Sequence, residues 1–427
     1  MTIEDEVDRL IDERPGKELL IPCYDDPAHR VTEILYRSGG TTAAYCLLTD
    51  RSRIIVNTGM GYEAPHHKRV FDAVRPGPTP YVMSTQAHVD HVGGVELFRE
   101  PGTVYVAQEN NLACQRDDAR IRPLRFRTAG IWFDMTGRDA VRIAKENPGV
   151  SMGQDEPTPD LTFDERLDLE VDGLHLQLIA AVGETIDGMI VWLPEHKVAL
   201  ISNLLGPLFP HFPNLNTLRG DRYRFVEPYL HSVRLLRELQ PEMLVTGRHE
   251  PIVGGELIDA SLARLHNAVE WVHRETVDGM NTGVDLWHLM REIRLPSHLR
   301  VGQGYGKVPW AVRTIWETYV GWFKLTSTTE LYPDQQLDAR TVLTAALGVA
   351  GTLDLARQAL GRGDAALAVL LAEGALAVDP DHQGAGLVMA DAHQALLDAG
   401  GDVNFWESGW LEWERRRWAA GAEPPPR

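Results

Sequence analysis

The sequence predicts an α/β fold, a layered sheet covered by helices, followed by an α-helical region. Three observations predict it. Short β-branched or apolar runs alternate with helical patterns up to about residue 255, and such alternation builds a sheet with helices on its faces. From residue 256 to 427 only helical spacings recur. A loop rich in histidine and carboxylate, Gln86-Ala-His-Val-Asp-His-Val-Gly-Gly94, follows one strand run, and α/β folds collect their ligands at strand ends. The expected domains are 1–255, carrying the chemistry, and 256–427, a helical region.

In the first part, strands are expected at Arg53–Val56, Tyr81–Ser84, Thr103–Ala107, Leu174–Ala180, Ile190–Leu193 and Val198–Ser202. Each is β-branched or apolar and ends at or near Gly, Asn, Thr or Pro. A last strand, Met243–Thr246, follows a helix pattern over Tyr229–Leu239, and helical spacing also marks His66–Val74 and Val95–Phe98. Beyond these, Leu257–Val277, Leu286–Arg294 and Trp310–Phe323 carry apolar residues at helical intervals, with Trp310, Trp316, Trp322 and Phe323 read as core or dimer-face residues. After Tyr332-Pro-Asp334, an Ala/Leu-rich stretch gives helices over Leu337–Leu360, Ala365–Val378 and Gln383–Leu397. The intervening Gly361-Arg-Gly-Asp364 and Asp379-Pro-Asp381 punctuate them like tetratricopeptide hairpins. Glu412–Trp418 reads as a solvated amphipathic helix end and Glu423–Arg427 as a Pro-rich, disordered tail.

Charge and cysteine usage exclude several roles. With 42 Lys+Arg against 61 Asp+Glu the net charge is −19, which opposes binding through phosphate neutralisation and through anionic membranes. No nucleic acid and no membrane are expected as partners. Cys23, Cys46 and Cys114 are odd in number and widely spaced, which is no disulfide framework. The acidic start Met1-Thr-Ile-Glu-Asp-Glu6 is unlike a signal peptide, and a cytoplasmic protein is expected.

The loop after Tyr81–Ser84 is the strongest chemical signal. His88, Asp90 and His91 fall within four positions, and Gly93-Gly94 permits a tight strand-to-helix turn. Imidazole and carboxylate groups converging on one loop bind divalent metals.

Here the sequence resembles the metallo-β-lactamase fold, whose loop signature is His-x-His-x-Asp-His, and in particular its alkylsulfatase branch. Asn214-Leu-Asn-Thr-Leu-Arg-Gly220 resembles that branch's Thr-Leu-Arg-Gly loop. Gly304-Tyr-Gly-Lys-Val308 with Tyr319-Val-Gly-Trp-Phe323 resembles the opening of its helical dimerisation region. The resemblance implies an αββα sandwich, a homodimer and two divalent metal ions held by the loop, two acidic residues and a later histidine. Carried over to this sequence, the metal ligands are Gln86, His88, Asp90, His91, Glu184, Asn203 and His249. Gln86 stands where the first histidine belongs, Asn203 where the second acid belongs, and Arg248-His249 where the family pairs two histidines. Asn57 replaces a strand-end aspartate.

Amide and carboxylate oxygens beside imidazole suit iron or manganese at least as well as zinc. With these departures the sequence is similar to the diiron monooxygenases of platensimycin-type diterpenoid biosynthesis. On that reading two irons, dioxygen and an electron donor hydroxylate a hydrophobic, terpenoid-like intermediate of an antibiotic pathway. The alternative is an alkylsulfatase-type hydrolase, with zinc, acting on a sulfate or other ester; a catalytically silent dimeric binding protein is the third. Arg219 and Arg248, with Asn214 and Thr217, are the expected substrate-binding residues, since guanidinium suits a sulfate or carboxylate bidentately. His66 and His67 are read as exposed, His211 as a lesser pocket candidate, Tyr305 as helix-start packing and Cys114 as plain packing.

Overall fold

The computed structural model describes residues 2–146, 148, 153–324, 327–332 and 336–420. The chain divides into two compact units. One comprises Met1–Arg125 and Phe133–Trp316, the other Phe126–Trp132 and Glu317–Arg427.

The first unit is an αββα sandwich. Its first sheet orders seven strands as they occur in the chain: β1 (His29–Arg30), β2 (Leu35–Ser38), β3 (Ala44–Leu48), β4 (Arg53–Val56), β5 (Tyr81–Met83), β6 (Val104–Gln108) and β7 (Leu161–Phe163). Pairing is antiparallel from β1 to β4 and parallel from β4 to β7. The second sheet has six strands: β8 (Arg166–Val171), β9 (Leu174–Ala180), β10 (Met189–Leu193), β11 (Val198–Ser202), β12 (Met243–Thr246) and β13 (Ile252–Val253). Their spatial order is β13-β12-β11-β10-β9-β8, and only β11–β12 is parallel.

Alternation along the strands builds the layers. Leu47, Ile54, Val56, Met83 and Val106 meet Leu176, Leu178, Val191, Leu193 and Val245 in the buried core between the sheets. The neighbours Cys46, Ile55, Val82 and Tyr105 face the other way, onto Val70 and Phe71 of helix Ala64–Val74 and onto Val92, Val95 and Phe98. Helix Gly255–Asn281 packs on Ile3–Asp12, on Val226–Leu239 and on β12 and β13, all within this unit. The helices Asn111–Arg120, Arg122–Trp132 and Asp134–Glu146 are additions to the sequence reading. They are rich in charge and bury few side chains, so no run of buried apolar residues announces them. Strands β1, β2, β3, β7, β8 and β13 are likewise additions. In β8 buried and exposed positions alternate, and its outward Arg, Asp and Glu obscure the strand in the sequence.

In the second unit the expected helix Leu337–Leu360 is two helices, Gln336–Leu347 and Val349–Gly361, parted at Gly348 with φ 77°. Helices Ala365–Val378, Gln383–Gly400 and Phe405–Ala420 complete it. Its core is built on alanine: Ala356, Ala359, Ala368, Ala372, Ala375 and Ala392 are fully buried, small side chains that let helix axes approach. The Trp132 indole donates to the Trp406 carbonyl at 2.9 Å. The stretch Glu412–Trp418 is not simply solvated, because Leu411 and Glu414 are buried and Glu414 accepts from the Trp418 indole at 2.8 Å. Trp316 is buried in the first unit while Trp322 is 66% exposed. The tail Glu423–Arg427 lies outside the described residues. Among the described residues no single helix is long and apolar enough to cross a membrane.

Candidate active site

Strand ends place the polar side chains. Asn57 closes β4 in the left-handed region, φ 60°, and its Oδ1 accepts from the Thr85 amide at 2.9 Å and the Thr85 hydroxyl at 3.1 Å. That pins the loop after β5, from which Gln86 and His88 project before the short helix Val89–Val92. Glu184 comes from the β9–β10 loop. There a Cβ on Gly183 would lie 1.9 Å from the Leu204 carbonyl oxygen, so glycine is required for the loop to sit close enough. Asn203 follows β11 directly, and Gly247, Arg248 and His249 follow β12.

Two groups result. In the first, the Gln86 amide nitrogen lies 2.9 Å from His88 Nδ1 and 3.1 Å from Glu184 Oε2, and His88 Nδ1 lies 3.5 Å from the same Glu184 oxygen. His88 Nε2 faces Asp221 Oδ2 at 3.5 Å. Arg224 pairs with Glu184 at 3.5 Å and donates to the Asn214 carbonyl at 2.8 Å, while Arg125 bridges Asp118 and Asp221. Burial works against the His88 cation, but the hydrogen bonds and charges of Asp221 and Glu184 overcome it and raise its pKa to about 9. Burial likewise opposes the Glu184 charge, and Arg224 and His88 outweigh it, holding the carboxyl at about 2.

In the second group, His91 Nδ1 lies 3.3 Å from Asp90 Oδ1 and His91 Nε2 lies 3.1 Å from the Ser202 hydroxyl. The Thr42 hydroxyl donates to Asp90 Oδ2 at 2.5 Å and accepts from Asn203 Nδ2 at 3.2 Å. Burial disfavours the Asp90 charge, yet His91, His88 and Thr42 keep its carboxyl far below the usual range.

His249 joins neither group in the described residues. It lines a cleft of about 470 Å³ with Arg14, Arg37, Cys23 and Arg248. Burial, then the charges of Arg14, Arg248 and Arg37, push its pKa down to about 4. The charge of Arg248 bears on Asp90 and Glu184, and its Nη1 donates to the Leu20 carbonyl at 2.8 Å. Asn214 and Thr217 are buried, Thr217 with an unpartnered hydroxyl. Arg219 stands over the Phe133 ring at 5.9 Å. Of the remaining candidates, His67 is buried rather than exposed, its Nδ1 2.7 Å from the Ser38 hydroxyl. His211 is turned to the Gly304 amide at 3.0 Å. Asp221, Arg224, Arg125, Thr42 and Ser202 were not anticipated. Only Asp221 and Arg224 carried a signal, following the Thr-Leu-Arg-Gly loop in sequence. Tyr305, expected to pack, instead lies among Glu184, Arg224, Arg219 and Arg248, whose charges bear on its hydroxyl.

Among the described residues no three His, Cys, Asp or Glu side chains gather as a metal ion requires. Glu184 and Asp221 face opposite nitrogens of the His88 ring, so these three cannot share one ion. The side chains present do not fit the two-metal centre that the fold implies.

The family model of the metallo-β-lactamase superfamily matches residues 37–248, and that of alkyl sulfatase dimerisation matches residues 288–403. A linear primary-alkylsulfatase of a Pseudomonas species is 27% identical over 381 residues, 84% of this chain and 70% of its own length. An alkyl/aryl-sulfatase of Saccharomyces cerevisiae is 21% identical over 319 residues, 69% of this chain and 49% of its own. The solved stereoselective inverting sec-alkylsulfatase of Pseudomonas sp. superposes with a TM-score of 0.80 over 99% of this chain and 78% of that one, at 18% identity. The fold is therefore that of a metallo-β-lactamase domain followed by an alkylsulfatase-type helical dimerisation region, in a chain with alkylsulfatase homologues. These relatives are sulfatases by name and none is an oxygenase. The expectation of a diiron monooxygenase, with iron, dioxygen, an electron donor and an antibiotic pathway, has no support; the hydrolase alternative fits better.

Proposed function

We propose that this chain, a metallo-β-lactamase fold with an alkylsulfatase-type helical region, is a hydrolase cleaving a sulfate ester, or a comparably anionic ester, of a hydrophobic alcohol. The observation that carries the reading is the arginine cluster at Glu184 and Asp221. Arg224 and Arg125 are each paired with carboxylates. Arg219 of the Thr-Leu-Arg-Gly loop has no carboxylate partner among the described residues, and its Nε is buried without an acceptor. An arriving oxyanion completes that site, taking a bidentate contact from Arg219. Burial, then Glu184, push the Tyr305 hydroxyl above its ordinary pKa, so it remains a neutral donor to an ester oxygen. Asp221 fixes the His88 ring, and Arg224 holds Glu184 in place against the Asn214 carbonyl.

The test is sulfate release. The purified full chain is supplied with zinc and given primary and secondary alkyl sulfates, with phosphate and carboxylate esters of the same alcohols alongside. Release of sulfate measured by ion chromatography supports the reading. No hydrolysis of any of these esters overturns it and favours a binding role. The helical region leads to a second part of the proposal, a homodimer; sedimentation velocity giving a monomer at micromolar concentration overturns that part alone.

A further inference from the structure

Tyr305 is carried by a segment with little means of ordering itself. It stands in Gly302-Gln-Gly-Tyr-Gly306, where three glycines in five positions leave the backbone wide conformational freedom. Its side chain is half-buried, and the charges of Glu184, Arg224, Arg219 and Arg248 bear on its hydroxyl. The backbone on either side must therefore be held from outside the segment.

The support is the loop 208–214, between β11 and helix Val226–Leu239. Its Leu208, Phe209, His211, Phe212 and Asn214 are all buried. Hydrogen bonds join the two segments at alternate positions. The Phe212 amide donates to the Gly302 carbonyl at 2.8 Å, and the Gly306 amide donates to the Phe212 carbonyl at 3.2 Å. Between them the Gly304 amide donates to His211 Nδ1 at 3.0 Å. The first two run between main chains and are open to any residue at 211. The bond to Gly304 depends on the side chain.

The fit is close. A Cβ on Gly302 would lie 2.2 Å from the His211 ring, and one on Gly306 would lie 2.1 Å from the Pro213 carbonyl oxygen. Burial pushes the His211 pKa down to about 4, so the ring is neutral, with its proton on Nε2 and the Nδ1 lone pair given to Gly304. The same loop sets the other side of the arginine cluster, because the Asn214 carbonyl accepts from Arg224, which pairs with Glu184.

We propose that His211 is a positioning residue: by accepting from the Gly304 amide it holds the Tyr305 hydroxyl at the arginine cluster, and so sets how tightly an oxyanion is bound there. The proposal deepens the hydrolase reading and rests on it for the role of Tyr305. The anchoring of Gly304 rests on the hydrogen bond alone.

The probe is tungstate, a tetrahedral oxyanion like sulfate, and its affinity for the full chain is measured by calorimetry. The parent, His211→Phe, Tyr305→Phe and the double variant form a cycle. His211→Phe keeps an aromatic ring but has no acceptor, and is expected to weaken tungstate binding roughly tenfold. In the Tyr305→Phe background the same change is expected to weaken it by no more than about twofold, because the hydroxyl that His211 positions is gone. Equal losses in both backgrounds would mean general damage and overturn the proposal, as would no loss in either. Hydrogen exchange at the Gly304 amide, resolved by mass spectrometry with electron-transfer fragmentation, is read on the unaltered chain. Protection of about a hundredfold or more is expected; exchange at the rate of an open amide overturns the proposal even if His211→Phe does not fold. A parent that binds tungstate but cleaves no ester sinks the hydrolase reading and leaves this one standing, whereas a parent that binds no tungstate overturns this one.

Discussion

The two flanks of the loop after β5 use the same kinds of side chain for opposite ends. On the flank of His88, imidazole, carboxylate and amide converge from two loops, with Arg224 and Asp221 behind them. On the flank of His91, imidazole, carboxylate and amide are joined to the hydroxyls of Thr42 and Ser202. A hydroxyl both donates and accepts, so placed between two would-be ligands it links them into the protein's own structure. On both flanks the ligand-type residues are hydrogen-bonded to one another or to their neighbours, so their proximity is by itself insufficient for a metal site.

Substitutions on each flank sharpen this contrast. The largest effect is expected at His88. His88→Ala should abolish sulfate release, because Gln86, Glu184 and Asp221 lose their shared partner, and ion chromatography finding the parent's rate would break the comparison. Next comes Asp221→Asn, which keeps the ring packed but weakens the carboxylate that orients it. The rate of sulfate release should fall by about tenfold or more, since a hydrogen bond to a charged group contributes about 1.5–3 kcal/mol. Arg219→Ala should raise KM for an alkyl sulfate by roughly tenfold or more, since a hydrogen bond to a charged group contributes about 1.5–3 kcal/mol. An unchanged KM would remove Arg219 from the anion site. The smallest effect on sulfate release is expected at His91. His91→Ala should lower stability in urea unfolding by about 1–3 kcal/mol, because Asp90 and Ser202 lose a buried partner. Unchanged stability with sulfate release abolished would instead place His91 in the chemistry.

Much of the frame was legible. Strands β4, β9, β11 and β12 match the runs Arg53–Val56, Leu174–Ala180, Val198–Ser202 and Met243–Thr246 residue for residue; β4 and β11 are buried along their length, and β9 alternates buried leucines with half-buried His175 and Gln177. Of the seven ligand candidates that the resemblance implies, the structure brings Gln86, His88 and Glu184 into one group, Asp90, His91 and Asn203 into another, and leaves His249 apart. The short edge strands and the three charged helices between Asn111 and Glu146 were not legible, as the strands span few residues and the helices bury few side chains.

The sequence by itself determined which residue types stand at the strand ends, and so the αββα sandwich, the departures at positions 86, 203 and 248 and the arginine of the Thr-Leu-Arg-Gly loop. Only the tertiary structure decided what each polar atom bonds to. Thr42 reaches Asp90 across 48 positions of chain and Asn203 across 161, and Arg224 reaches Glu184 across 40. No local pattern encodes such pairings, because they depend on how two sheets and their loops pack.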